Sequence, residues 1–80
     1  MSDELTRAEK LVGVKQCQRA LREGGVRTAY FARDAEDRLI APLVQLCEEK
    51  GIAVVWCETM RELGNACGIA VGAAVAVILG

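Results

Sequence analysis

Eighty residues carry ten lysines or arginines against eleven acids, a net charge of −1. That length suits one domain near the lower limit for a single core, and a hydrophobic share of 52% marks a globular folder and not a disordered tail. The faintly acidic balance excludes indiscriminate nucleic-acid binding, which needs a broad basic field, so a nucleic-acid partner would have to be held by a local patch and by shape.

Ser2 can cap a first helix, with Asp3 and Glu4 in its first turn complementing the dipole. Leu5, Ala8 and Leu11 or Val12 recur at helical spacing, which predicts a helix over residues 3–9. Leu11 and Val12 then either end it or form a short strand before Gly13. A second helix is expected over residues 15–23, with Cys17, Ala20 and Leu21 as its apolar stripe and the Gly24-Gly25 pair as a left-handed stop. Lys15, Gln16 and Arg19 lie off that stripe at spacings of three and four, so they share a face.

Residues 26–32 read as a strand apolar on both faces, with Tyr30 and Phe31 pointing to opposite sides. A charged loop, 33–38, follows, and then a helix over 39–50 with Pro42 in its first turn and Leu39, Leu43, Val44, Leu46 and Cys47 as its buried side. Residues 52–57 form the next strand, again apolar throughout. Thr59 and Glu62 match a capping box opening a short helix, with Gly64 allowing close approach and Gly68 ending it. The last strand is expected over 72–79. Helices alternating with doubly buried strands give an α/β chain built as a three-layer α/β/α sandwich, one unit over residues 1–80.

Cys17, Cys47, Cys57 and Cys67 fall in apolar stripes without a Cys-x-x-Cys pair, and there is no histidine. They read as free thiols packed as small hydrophobes, with no metal site and no cofactor. The acidic start lacks the basic region of a signal peptide, and the apolar run 69–79 is too short to span a bilayer as a helix, so the expected location is the cytoplasm, with no membrane partner. Without histidine, a phosphate-binding loop or a dinucleotide fingerprint, catalysis is not expected. Two other stretches stand out. The Gly13 turn starts a helix whose backbone N–H groups suit a phosphate, beneath Lys15, Gln16 and Arg19. The glycine-flanked connector Ile69-Ala70-Val71 is apolar, either tucked into the core or exposed to receive something flat.

Four segments carry a resemblance: Gly13-Val14-Lys15-Gln16-x-x-Arg19-Ala20-Leu21, Ala32-Arg33-Asp34-Ala35-Glu36, Leu46-Cys47-Glu48-Glu49-Lys50, and Leu63-Gly64-Asn65-Ala66-Cys67-Gly68-Ile69. In order, and over nearly the whole chain, they resemble the kink-turn RNA-binding ribosomal-protein family, that of the archaeal "seven-Ae" ribosomal protein, and most of all its small bacterial members of the YbxF type. The resemblance implies a mixed four-stranded sheet between helices and a non-catalytic protein that stabilises kink-turn RNA with its tandem sheared G·A pairs. It implies that Gly13 is the turn glycine, that Lys15 and Gln16 address the guanines, and that Arg19 lies near phosphate. Glu36 would hold the base flipped from the three-nucleotide bulge, with Ile69 beneath it and Ala70 and Val71 in the same loop; Val14 and Arg33 fall inside the matching segments. Archaeal and eukaryotic members place asparagine and glutamate where Lys15 and Gln16 stand, arginine-proline in place of Val71-Gly72, and some a lysine at Met60. The implied partner is structured RNA, ribosomal or riboswitch, bound by a monomer. The alternative is a protein-interaction adaptor on the same fold.

Overall fold

The computed structural model describes residues 9–80. Three helices and four strands follow the order β1 (Lys10–Val12), α1 (Val14–Glu23), β2 (Val26–Ala32), α2 (Asp37–Lys50), β3 (Ala53–Cys57), α3 (Met60–Ala66) and β4 (Val75–Leu79). The helix expected over residues 3–9 lies outside the described residues except for Glu9. That residue is not helical; its carbonyl accepts from the Leu79 N–H at 2.9 Å, extending the β1 pairing.

The sheet runs β1-β4-β2-β3, with β4 antiparallel to both β1 and β2, and β2 parallel to β3. It is therefore mixed, as the resemblance implied. Register places Ala29 and Phe31 beside Val77 and Val75 on one face, and Tyr30 beside Ala76 on the other. All of these are buried, so the two central strands are covered on both sides. Helices α1 and α2 pack on each other over the Phe31 face, where Trp56 of β3 joins Ile40, Ala41 and Val44 of α2. Helix α3 packs against β2, β3 and β4, and completes the three-layer sandwich.

Lys50, in the last turn of α2, donates its ammonium to the carbonyls of Leu21 (2.5 Å) and Arg22 (2.8 Å). It so satisfies acceptors that the end of α1 leaves unpaired and ties the two helices together. Gly51 ends α2 in the left-handed region, with Ile52 N–H on the Cys47 carbonyl at 2.9 Å.

Several expectations are corrected. Helix α2 begins at Asp37, two residues earlier than read, so Pro42 sits in the second turn, where its missing N–H leaves the Arg38 carbonyl without its helical donor. The buried side also differs from the reading: Ile40, Leu43 and Cys47, spaced three and four apart, are buried, while Leu39 lies off that stripe and is 47% exposed. Gly24 is not left-handed helical: φ 99° and ψ −179° put it in a positive-φ conformation open to glycine, and Gly25 follows with φ 84°. Strand β3 is not doubly buried. It is an edge strand, with Val55 40% and Trp56 39% exposed, because its apolar run covers only one neighbour. Strand β4 starts at Val75, not residue 72, leaving a longer connector after α3.

Candidate nucleic-acid interface

Four chain segments meet at one end of the sheet because the register puts Val12, Val75, Ala32 and Cys57 at the ends of neighbouring strands. Across four strands that rim is about 14 Å wide, from a spacing of about 4.8 Å per strand. Backbone hydrogen bonds lock it: Gly13 N–H on Val75 O (3.1 Å), Ala32 N–H on Ala74 O (3.0 Å) and Arg33 N–H on Cys57 O (2.8 Å). The Asp34 carboxylate adds a cross-link by accepting from the Met60 N–H at 2.8 Å. It thereby joins the β2–α2 loop to the first residue of α3.

The first segment is the Gly13 turn. Gly13 has φ 109° and ψ 149°, a conformation that a side chain would strain, and it turns the chain from β1 directly into α1. No side chain caps α1, and its first internal bond runs from Cys17 N–H to the Gly13 carbonyl at 3.0 Å. The N–H groups of Val14, Lys15 and Gln16 thus lack helical acceptors at the positive end of the dipole. Lys15, Gln16 and Arg19 are exposed while Val14 is half-buried, and a shallow hollow is lined by Leu11, Lys15, Gln16, Arg19, Ala20 and Glu23. Arg19 Nε stands 3.8 Å from Glu23 Oε2, a loose solvent-exposed pair easily given up.

The second segment is the β2–α2 loop. Glu36 occupies the N-cap of α2 without bonding its N–H groups through the side chain, and holds Arg38 instead, Oε1 to guanidinium at 2.9 Å. Arg33 pairs with Glu58 at 3.2 Å and lies 5.6 Å from the centre of the Trp56 ring. Among the described residues no group of three or more His, Cys, Asp or Glu is placed to hold a metal ion.

The third segment is the α3–β4 connector. Thr59 Oγ1 accepts from Glu62 N–H at 3.0 Å and starts α3 as its capping pattern predicts. The helix ends with Gly68 N–H on Asn65 O (3.0 Å) and Ile69 N–H on Gly64 O (3.1 Å), the pair of bonds that turns a chain sharply at a left-handed glycine. Gly64 meets the far side of the connector: a Cβ there would run into the Val71 carbonyl and lie 3.1 Å from the Gly72 Cα. The connector is pressed onto α3 by its backbone at Val71 and Gly72, so the Val71 side chain is left outward while Ile69 still packs against the core. Ile69 is half-buried, Ala70 is exposed, and Val71 is 71% exposed. Of the two alternatives left open by the sequence, exposure describes Ala70 and Val71.

All ten residues singled out in the sequence, Gly13, Val14, Lys15, Gln16, Arg19, Arg33, Glu36, Ile69, Ala70 and Val71, therefore lie on α1 or on loops at this rim. Two participants were missed. Asp34 lies in the charged loop 33–38, and its bond from the Met60 N–H depends on a tertiary approach that no local pattern marks. Trp56 was assigned to a buried strand, and only the strand order exposes it.

The sequence pattern of the ribosomal protein L7Ae/L30e/S12e/Gadd45 family matches residues 3–80. The chain belongs to this family. The resemblance drawn from the four segments is thus borne out, and relatives of similar size support it. An RNA-binding protein of Caldanaerobacter subterraneus subsp. tengcongensis is 46% identical over 68 residues, covering 85% of this chain and 83% of that one. An RNA-binding protein of Bacillus pumilus is 37% identical over 78 residues, 96% of this chain and 95% of its own. Among solved structures, the Giardia lamblia 15.5kD RNA binding protein superimposes with a TM-score of 0.83 at 26% identity, covering 94% of this chain and 62% of that longer one. No helix among the described residues is long and apolar enough to cross a membrane.

Proposed function

We propose that this chain is a non-catalytic RNA-binding protein that recognises and stabilises kink-turn RNA. The observation that carries the reading is the meeting, at one sheet end, of an uncapped helix N-terminus bearing Lys15, Gln16 and Arg19 with an acidic loop at Glu36 and an apolar connector at Ile69–Val71. These are three different chemistries: donors for phosphates and base edges, an acceptor for the N–H groups of an unpaired base, and a flat apolar contact beneath it. A straight duplex offers no unpaired base to the second and third. A kinked duplex with a bulge offers one beside the paired stem.

In this reading Lys15 and Gln16 address the guanines of the sheared pairs, Arg19 a neighbouring phosphate, and Glu36 with Ile69 the flipped base. The RNA-binding relatives of similar length, and the 15.5kD RNA binding protein of like fold, support it. A gel shift tests it with a kink-turn, the same RNA with its G·A pairs replaced by Watson–Crick pairs, and a plain duplex. The kink-turn is expected to bind far more tightly than either control. Equal affinity for all three would sink the proposal.

A further inference from the structure

The rim continues past the residues assigned above to the edge strand, where Trp56 is the only tryptophan of the chain and the only exposed ring among its three aromatics. Phe31 supports it from within the core, ring centres 5.5 Å apart and planes inclined by 38°. Tryptophan left 39% exposed on a rigid strand is a large flat apolar surface held at low entropic cost. The Arg33 guanidinium lies over it at 5.6 Å, near the outer limit of a useful cation–π contact, and is itself 57% exposed and paired with Glu58. Arg33 and Trp56 thus form a preassembled cation and ring, Arg33 three residues before Glu36 in the β2–α2 loop and Trp56 beside it on β3. The hollow beside the ring is lined by Ile40, Ala41 and Val44, with Asp37, Gln45 and Glu48 around it. Two acids there disfavour a phosphate in the hollow, but they and the glutamine amide are acceptors for the N–H groups of a base.

We infer that Trp56 is a stacking platform for a second unpaired base of the bound RNA, whose phosphate is taken by Arg33. The inference rests on the kink-turn reading and deepens it: the bulge would be held at two places, one base at Glu36 and Ile69, and a neighbouring bulge base on the indole. Base stacking on an aromatic ring is tolerant of base identity, so this second place adds affinity without selecting a sequence. Continuity with the Glu36 loop favours RNA over a protein segment as the occupant, because the same strand of a bulge leads from one place to the other.

Because Trp56 is the sole tryptophan, its fluorescence reports on this one position, while a gel shift reports binding independently. Titration with an intact kink-turn is expected to quench the emission, and an abasic residue at one particular bulge position to abolish the quench while a complex still forms. Trp56→Ala is expected to weaken binding about tenfold, and Trp56→Phe, which keeps a ring on Phe31, to restore most of the loss. Circular dichroism of each variant establishes that the fold is retained. Emission unchanged at saturating kink-turn, or a Trp56→Ala protein that stays folded and binds as tightly as the parent, would overturn the stacking role and leave the kink-turn reading standing. No complex with the kink-turn in the gel shift would overturn both.

Discussion

Arg19 and Cys17 sit two residues apart on α1 and show how differently two sides of one helix act. Arg19 is exposed, and its loose pairing with Glu23 costs little to break on meeting a phosphate. Arg19→Ala is therefore expected to weaken kink-turn binding and to make the log–log dependence of affinity on salt shallower by roughly one counterion. An unchanged slope in a salt titration would remove Arg19 from the interface. Cys17 is wholly buried, its Sγ 3.5 Å from the Leu11 carbonyl, and burial pushes its thiol up from about 9 to about 12. The unfolded chain then loses this proton at lower pH than the folded one. Protection from Cys17 is fully present below about pH 9 and is lost as pH climbs toward 12, at roughly 1 kcal/mol per pH unit. Urea unfolding from about pH 8 to about pH 10.5, across the lower half of this window, should show stability falling less steeply in Cys17→Ala than in the parent. Parallel slopes would contradict this assignment.

At the scale of elements, the connector between α3 and β4 depends on what stands beneath it. Gly64 is in the middle of a seven-residue helix, a position that costs helix propensity, and its reason is the Val71 carbonyl lying where a Cβ would go. Gly64→Ala should raise helix propensity yet destabilise the protein by about 2 kcal/mol, because the connector backbone must shift. Urea unfolding measures it; a variant as stable as the parent would mean the connector moves freely and is not set by this contact. Elsewhere the ends of elements follow local chemistry: Thr59 starts α3, and the Gly51 and Gly68 turns close α2 and α3 with the same pair of backbone bonds.

For the molecule as a whole, the net charge of −1 limits what long-range attraction supplies. Affinity for an ordinary duplex should be low, and discrimination must come from contacts made together along the rim. The rigid sheet end makes that possible: three loops and a helix start are fixed to neighbouring strand termini by backbone bonds, so the RNA meets a preformed surface and little ordering cost is incurred on binding. This is why the kink-turn comparison, more than any absolute affinity, tests the proposed function.

Sequence alone determined the periodicities. The stripe Cys17, Ala20 and Leu21, the buried run of β2, the capping pair at Thr59 and the stops at Gly51 and Gly68 are local rules, and each is found where those rules put it. The rim residues were also legible, Lys15, Gln16 and Arg19 through helical spacing, Ile69, Ala70 and Val71 as an apolar connector between glycines, and Glu36 through the family resemblance. What needed the tertiary structure was strand order, since an apolar run reads the same at the centre of a sheet and at its edge. That order turned β3 into an edge strand and brought Trp56 into the open beside Arg33. It also decided the buried side of α2, where Ile40 docks in place of the expected Leu39 and the helix runs from Asp37, with Pro42 in its second turn. Burial on the sheet outweighs the loss of one hydrogen bond, and no local rule records which side chains a distant strand will cover.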